Sequence, residues 1–311
     1  MPHRWKALAA ATALAGAALR AAGCSSSSAA IQPGADGKII AVGAESEYAD
    51  VIAQVGGKYV QASAIMSNPN SDPHTFEASA ATGRLVNASR LVVQNGLGYD
   101  AFMDTLENAV PDSGRHVIVV QKLLGLPDST PNPHLWYDPA TMPRVAAAVA
   151  ESLAAIQPSH AAYFRANAKT FTNSLSAWIN AIGTFKQHYP GTPVATTEPV
   201  ADYLLQALGA DNKTPWAFQA DVMNGTDPSA QDVAVERSLF TNHEVKVFLY
   251  NQQVTDSLTE SFIALARANH IPVVGVYETM PEPGYRYQSW MLAEVRALRA
   301  AVADHLSSEH L

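Results

Sequence analysis

From Ser159 to His188 the chain contains no proline, and apolar residues fall at Phe164, Ala168, Phe171, Leu175, Trp178, Ile182 and Phe185. The gaps alternate four and three, which keeps every one of these side chains on a single face of an α-helix. At 1.5 Å per residue such a helix is about 45 Å long. That outruns one small domain. A coiled-coil arm would need a second heptad run to pair with, and the chain offers none. The spacing therefore predicts a rigid spine joining two lobes. Pro158 separates it from a preceding helix, which Pro143 is expected to open at its first position and which runs to about Gln157.

The flanks of this helix alternate between short apolar runs and helical patterns. Ile39 to Val42, Val60 to Ile65, Leu91 to Gln94 and Val117 to Val120 read as buried strands before it, with helices at Ala80 to Ala88 and Asp100 to Ala109. After it, Pro193 to Thr197, Val245 to Tyr250 and Pro272 to Val276 read as strands. Asp227-Pro228-Ser229 opens one helix, and Asp256 to Asn269 forms another. The expected class is α/β: two lobes, each a parallel sheet flanked by helices, joined by one long backbone helix. A length of 311 residues, 48% apolar and 15% charged, suits two medium domains with well-filled cores. The net charge of -8 argues against nucleic acid as a partner and is compatible with attracting cations. No short-period repeat is present.

The first residues read as an export signal. Arg4 and Lys6 precede an apolar run from Ala7 to Leu19, too short to span a bilayer. Small residues follow, then Cys24, the only cysteine, so no disulfide can form within the chain. The stretch Ala21 to Cys24 resembles the lipobox of bacterial lipoproteins, although Ala21 stands where such boxes usually carry Leu. By that resemblance Cys24 receives a lipid. Cleavage there removes Arg4, Lys6 and Arg20 and no acid, leaving 17 basic against 28 acidic residues, or -11. The expected organisation is a signal peptide at 1–23, a lipid-anchored tether at 24–37, an N-terminal lobe at 38–158, the linking helix at 159–189 and a C-terminal lobe at 190–311.

Four candidate site residues follow expected strand ends: His74 in Asp72-Pro73-His74-Thr75-Phe76-Glu77, His134 in Asn132-Pro133-His134-Leu135-Trp136-Tyr137-Asp138-Pro139, Glu198 and Glu278. Ligands of open α/β sheets bind outside the carboxyl ends of strands. Two of the four belong to each lobe, so facing lobes would bring two imidazoles and two carboxylates together. These are common donors for divalent first-row metals. Taken singly, a His beside proline is an ordinary loop residue and a Glu after a strand an ordinary helix-start charge. No local ligand spacing links them. His116, His160, His188, His243, His270 and His305 have no matching context, and Trp136, Trp178 and Trp290 read as core. Gly96-Leu97-Gly98-Tyr99-Asp100-Ala101 fits the pattern of a dinucleotide-binding turn. The acid such a site needs after the next strand is absent, because that region reads Val119-Val120-Gln121-Lys122.

On the loops around His74 and His134, on Asn95-Gly96-Leu97-Gly98, and on Glu278-Thr279-Met280 with Tyr287-Gln288-Ser289-Trp290-Met291, the chain resembles the metal-binding solute receptors of zinc and manganese ABC importers. The resemblance runs from about Lys38 to about Asp304. It implies two lobes on a backbone helix, with His74, His134, Glu198 and Glu278 as metal ligands. Glu278 stands where that family usually has Asp. It also implies one divalent transition metal as cargo, an ABC permease with its ATPase as partner, a monomer, and a lipid anchor on the extracytoplasmic face of a bacterial membrane. Two His with two Glu lean slightly to manganese over zinc. A binding protein and not an enzyme is expected. The alternatives are a metal-dependent hydrolase with an open coordination position, or a surface adhesin with a structural metal.

Overall fold

The computed structural model describes residues 37–68, 76–281 and 284–311. The expected signal peptide, Cys24, nearly all of the tether and His74 lie outside the described residues. The first half runs β1 (Ile39–Glu45), α1 (Ser46–Gly56), β2 (Val60–Met66), α2 (Ala80–Ala88), β3 (Leu91–Gln94), α3 (Ala101–Ala109), β4 (His116–Val119), α4 (Val120–Leu124) and α5 (Thr141–Ile156). Then come α6 (Ala161–Ser174) and α7 (Ser176–His188). The second half runs β5 (Pro193–Thr196), α8 (Asp202–Leu208), β6 (Asp211–Asn212), α9 (Trp216–Met223), α10 (Ala230–Thr241), β7 (Val247–Asn251), α11 (Ser257–Ala268), β8 (Val273–Val276) and α12 (Tyr287–Asp304).

The strands form two parallel sheets, ordered β2-β1-β3-β4 and β6-β5-β7-β8. Both follow from short, fully buried apolar runs such as β3, β7 and β8, which need helices on each face. Counted from its own first strand, each sheet has the same order. Each therefore has a switch point between its first and third strands, where neighbouring connections leave in opposite directions and a crevice opens. The parallel two-lobe architecture is the expected one. Residues after β8 extend the second sheet: Ser308 N–H donates to the Val273 carbonyl and Gly275 N–H to the Ser308 carbonyl, covering an edge that would otherwise be open. Among the described residues no helix is long and apolar enough to cross a membrane.

The single helix expected over 159–188 is two helices end to end, with Leu175 between them. The cause is local. The Ser174 hydroxyl donates to the Phe171 carbonyl at 2.6 Å, which is the acceptor an unbroken helix would give to the Leu175 amide. Leu175 N–H turns to Thr172 instead, at 3.2 Å, while Ile179 N–H resumes the helical pattern onto Leu175. All seven apolar residues of the expected face are buried, and they join one core cluster with strands of both sheets. α6 packs on α1 and α5, and α7 packs on α8 and α12. A second correction concerns Pro143. The helix begins at Thr141, so the proline sits in its first turn, where a missing N–H costs nothing, but not at the first position.

Candidate metal centre

The second sheet supplies two carboxylates through its strand order. β7 lies between β5 and β8, and all three point their carboxyl ends the same way. Glu198 follows β5, Asn251 ends β7 and Glu278 follows β8, so Asn251 stands between the two acids. Its Nδ2 donates to Glu278 Oε1 at 2.6 Å and to Glu198 Oε1 at 3.3 Å. The Asn251 Oδ1 accepts from the Gln253 amide at 3.0 Å, which fixes the orientation of the side chain. Gln253 Oε1 in turn accepts the amides of Glu278 and Thr279. Glu198 and Glu278 are 2% and 0% exposed.

From the first lobe comes His134, also 0% exposed. Its Nδ1 lies 2.7 Å from Asn132 Oδ1. The same oxygen takes the His134 amide at 3.0 Å, while Asn132 Nδ2 donates to the Pro199 carbonyl. An amide oxygen only accepts, so the imidazole proton sits on Nδ1 and the Nε2 lone pair faces away. It faces Glu278, with Nε2 and Oε2 3.5 Å apart. The ring is flanked by Tyr99 and Trp136, with centroids at 5.8 and 5.4 Å. Asn95, just after β3, donates to the Pro133 carbonyl and accepts from the Tyr48 hydroxyl, holding the His134 loop against the first sheet. The Tyr99 hydroxyl donates to Glu278 Oε2 at 2.7 Å, across the lobes.

The surroundings are acidic and buried. Glu45 ends β1 and Glu47 lies in the first turn of α1; both are fully buried, and neither Glu45 oxygen has a hydrogen-bond partner among the described residues. Burial, with Asp100 and Glu47 nearby, holds the Glu45 carboxyl well above the ordinary carboxylate range. Burial pushes Glu47 up to about 8. Asp100 rises to about 6 for the same reason, held from going higher by the amides of Gly96 and Asn95. Those bonds tie the start of the glycine turn to the chain's own carboxylate. A cleft of about 340 Å³ reaches Tyr99 and Pro133 from solvent, lined also by Leu97, Met223 and Trp216, whose side chain is partly exposed.

Of the four residues read as ligands, the structure thus brings His134, Glu198 and Glu278 into one buried neighbourhood. His74 lies outside the described residues, and among those no group of three or more His, Cys, Asp or Glu side chains is set to hold a metal ion. An imidazole nitrogen and a carboxylate oxygen turned toward one another at 3.5 Å are donor types that suit a divalent cation. Asn132, Asn251, Tyr99 and Glu45 were not singled out from sequence. Asn132 carried a signal, since an Asn two residues before a His turns back onto its amide and ring. The other three depend on strand order.

Comparison with known proteins finds relatives over most of the chain. The sequence model of ZnuA, described as zinc-uptake complex component A, periplasmic, matches residues 42–301. A curated relative, the manganese-binding lipoprotein MntA of Bacillus subtilis (strain 168), is 26% identical over 250 residues, covering 78% of this chain and 80% of its own. The fold is shared with the periplasmic zinc-binding protein TroA of Treponema pallidum, at a TM-score of 0.74 and 19% identity over 86% of this chain and 100% of that one. It is shared also with a manganese-bound mutant of a periplasmic metal-binding protein of Candidatus Liberibacter asiaticus, at 0.71 and 17% over 85% and 100%.

Proposed function

The chain belongs to the family of the periplasmic component A of zinc-uptake complexes, and on that premise we propose that it captures one divalent transition-metal ion between its lobes and delivers it to an ABC permease driven by its ATPase. The observation that carries the reading is the approach of His134 Nε2 and Glu278 Oε2, from opposite lobes, to 3.5 Å in a fully buried site. The ligand set is His74, His134, Glu198 and Glu278. Two imidazoles and two carboxylates complete a four-donor shell, so the protein acts as a receptor and not as an enzyme. The oxygen content of the set leans slightly to manganese as cargo, whereas zinc binds more tightly at most nitrogen and oxygen sites.

The remaining parts follow the same reading. Cys24 carries the lipid that holds the monomer on the extracytoplasmic face. The lobes at 38–158 and 190–311 sit on the tandem helices of 159–189 as a spine. Bonds between the lobes, such as the Tyr137 hydroxyl to the Tyr277 carbonyl and Arg286 to Asp50, favour small openings over a wide hinge. The test is titration of chelator-stripped mature protein with manganese and zinc separately, repeated with His74→Ala and Glu198→Ala. One equivalent bound by wild type, and lost in both variants, supports the reading. Unchanged binding in the variants sinks it.

A further inference from the structure

Glu45 is the last residue of β1, and its backbone is still extended, with φ -109° and ψ 164°. Side chains alternate between faces along a strand. Val42 and Ala44 pack into a small cluster with Val86 of α2 and Met103 of α3. Ile39 and Ala41 pack into the main core, which holds Tyr99, Trp136 and Tyr277. Glu45 is in step with Ile39 and Ala41, so its carboxyl is turned to the side of the rings that flank His134 and of the residue before Glu278. Its neighbours are tied to the same place. Ser46 Oγ accepts the Met280 amide at 3.0 Å. The Tyr48 hydroxyl donates to Asn95, which in turn donates to the Pro133 carbonyl, next to His134. The carboxyl itself is unfavourable where it stands. Glu45 is 0% exposed, among the described residues neither oxygen has a hydrogen-bond partner, and the side chain does not cap α1. The acids beside it are better provided for: Glu47 accepts from the Ser46 hydroxyl, and Asp100 from two backbone amides. Folds keep few buried polar groups without partners, and such groups call for a reason.

We propose that Glu45 is a further ligand of the cargo ion, a carboxylate that the first lobe supplies from the end of β1 to the ion held by His134 and Glu278. This rests on the metal-capture reading above. Among the described residues Glu45 is not gathered with His134 and Glu278 into a three-ligand group, so capture includes a rotation of its side chain. That rotation breaks no hydrogen bond, because the carboxyl makes none. A cation relieves the group twice over. It gives the oxygens a partner, and it offsets the repulsion from Asp100, Glu47 and Glu278. Glu45 also adds an oxygen donor, and oxygen-rich shells suit manganese better than zinc.

The experiment compares wild type with Glu45→Gln and Glu47→Gln on the whole mature protein. Glu45→Gln keeps the size of the side chain and removes the anionic donor. Glu47→Gln removes a neighbouring buried acid and serves as the control for negative charge in general. Dissociation constants for zinc and for manganese are measured by competition with a chelator, and thermal unfolding is followed on chelator-stripped protein. In Glu45→Gln both constants should rise about tenfold or more, and in Glu47→Gln they should stay within about twofold. The stability of stripped Glu45→Gln should equal or exceed that of wild type, because the fold leaves this acid unpaired. Unchanged binding in Glu45→Gln overturns the proposal. So does equal weakening in Glu47→Gln, or a loss of affinity matched by a loss of stability, which would assign Glu45 to the fold. If the variant does not fold, a crystal of zinc-loaded wild type decides. A Glu45 oxygen about 2.0–2.2 Å from the ion is expected, and an ion held by His134 and Glu278 with Glu45 still turned away overturns the proposal. Failure of wild type to bind either metal is a different result: it overturns the capture reading and this proposal with it.

Discussion

At the scale of single residues, the imidazole of His134 depends on one neighbour. Asn132 Oδ1 lies 2.7 Å from Nδ1 and so selects the tautomer that turns Nε2 toward Glu278. The same side chain donates to the Pro199 carbonyl, one residue from Glu198, so it spans both lobes. Groups of this kind typically change metal affinity 10–100-fold when lost. Asn132→Ala should weaken zinc and manganese by about that factor, whereas Asn132→Asp, which retains an acceptor, should keep most of the affinity. Competition titration measures both. Equal affinity in wild type and Asn132→Ala would mean that His134 is oriented by its aromatic flanks alone. Glu198 and Glu278 were legible in the sequence as acids after strand ends, whereas His134, expected there too, stands beyond α4 on the loop before Leu135. Asn251 was not legible, because nothing in one dimension says that β7 lies between β5 and β8.

At the scale of elements, the tandem helices α6 and α7 organise the core. Their face was legible because seven apolar residues kept step over the whole stretch. The break at Leu175 was not, because no proline or glycine marks it and the apolar spacing runs straight through it. α1 was illegible for another reason. Its buried face carries Glu47 and Asp50, which look like surface residues until burial and the partners of Asp50 are known. α12 hides similarly, with Glu294 buried between Trp290 and Tyr137. The face of α7 is open to a direct check. Trp178 is fully buried, while its neighbour Ile179 is 43% exposed. Trp178→Ala should cost about 3–5 kcal/mol in denaturant unfolding, and Ile179→Ala less than about 0.5 kcal/mol. Comparable losses at both positions would mean that the buried face is wrongly identified.

At the scale of the whole molecule, buried acids make stability depend on pH. Burial pushes Glu236 and Glu294 each up to about 8, from an ordinary 4.5. The folded chain keeps these protons at pH values where the unfolded chain has lost them, so unfolding releases protons between about 4.5 and about 8. Their contribution is full below the unfolded value and declines as pH rises through that window. Glu236 accepts from the Thr214 hydroxyl, which in turn takes the Thr196 amide. Glu236→Gln keeps the shape of the protonated acid and removes the titration. Its stability relative to wild type should rise from pH 5 to pH 8, by at most about 1.4 kcal/mol per pH unit. Parallel stability curves for the two proteins would show that Glu236 titrates normally in the fold.

Receptor function requires a single ion held between the lobes. The most direct test is an anomalous-scattering map from crystals of the mature protein loaded with one equivalent of zinc or manganese. It should show one peak, about 2.0–2.3 Å from His134 Nε2 and from an oxygen of each of Glu198 and Glu278. A peak elsewhere on the surface, or a bound ion that leaves His134 and Glu278 facing each other as they do now, would contradict it.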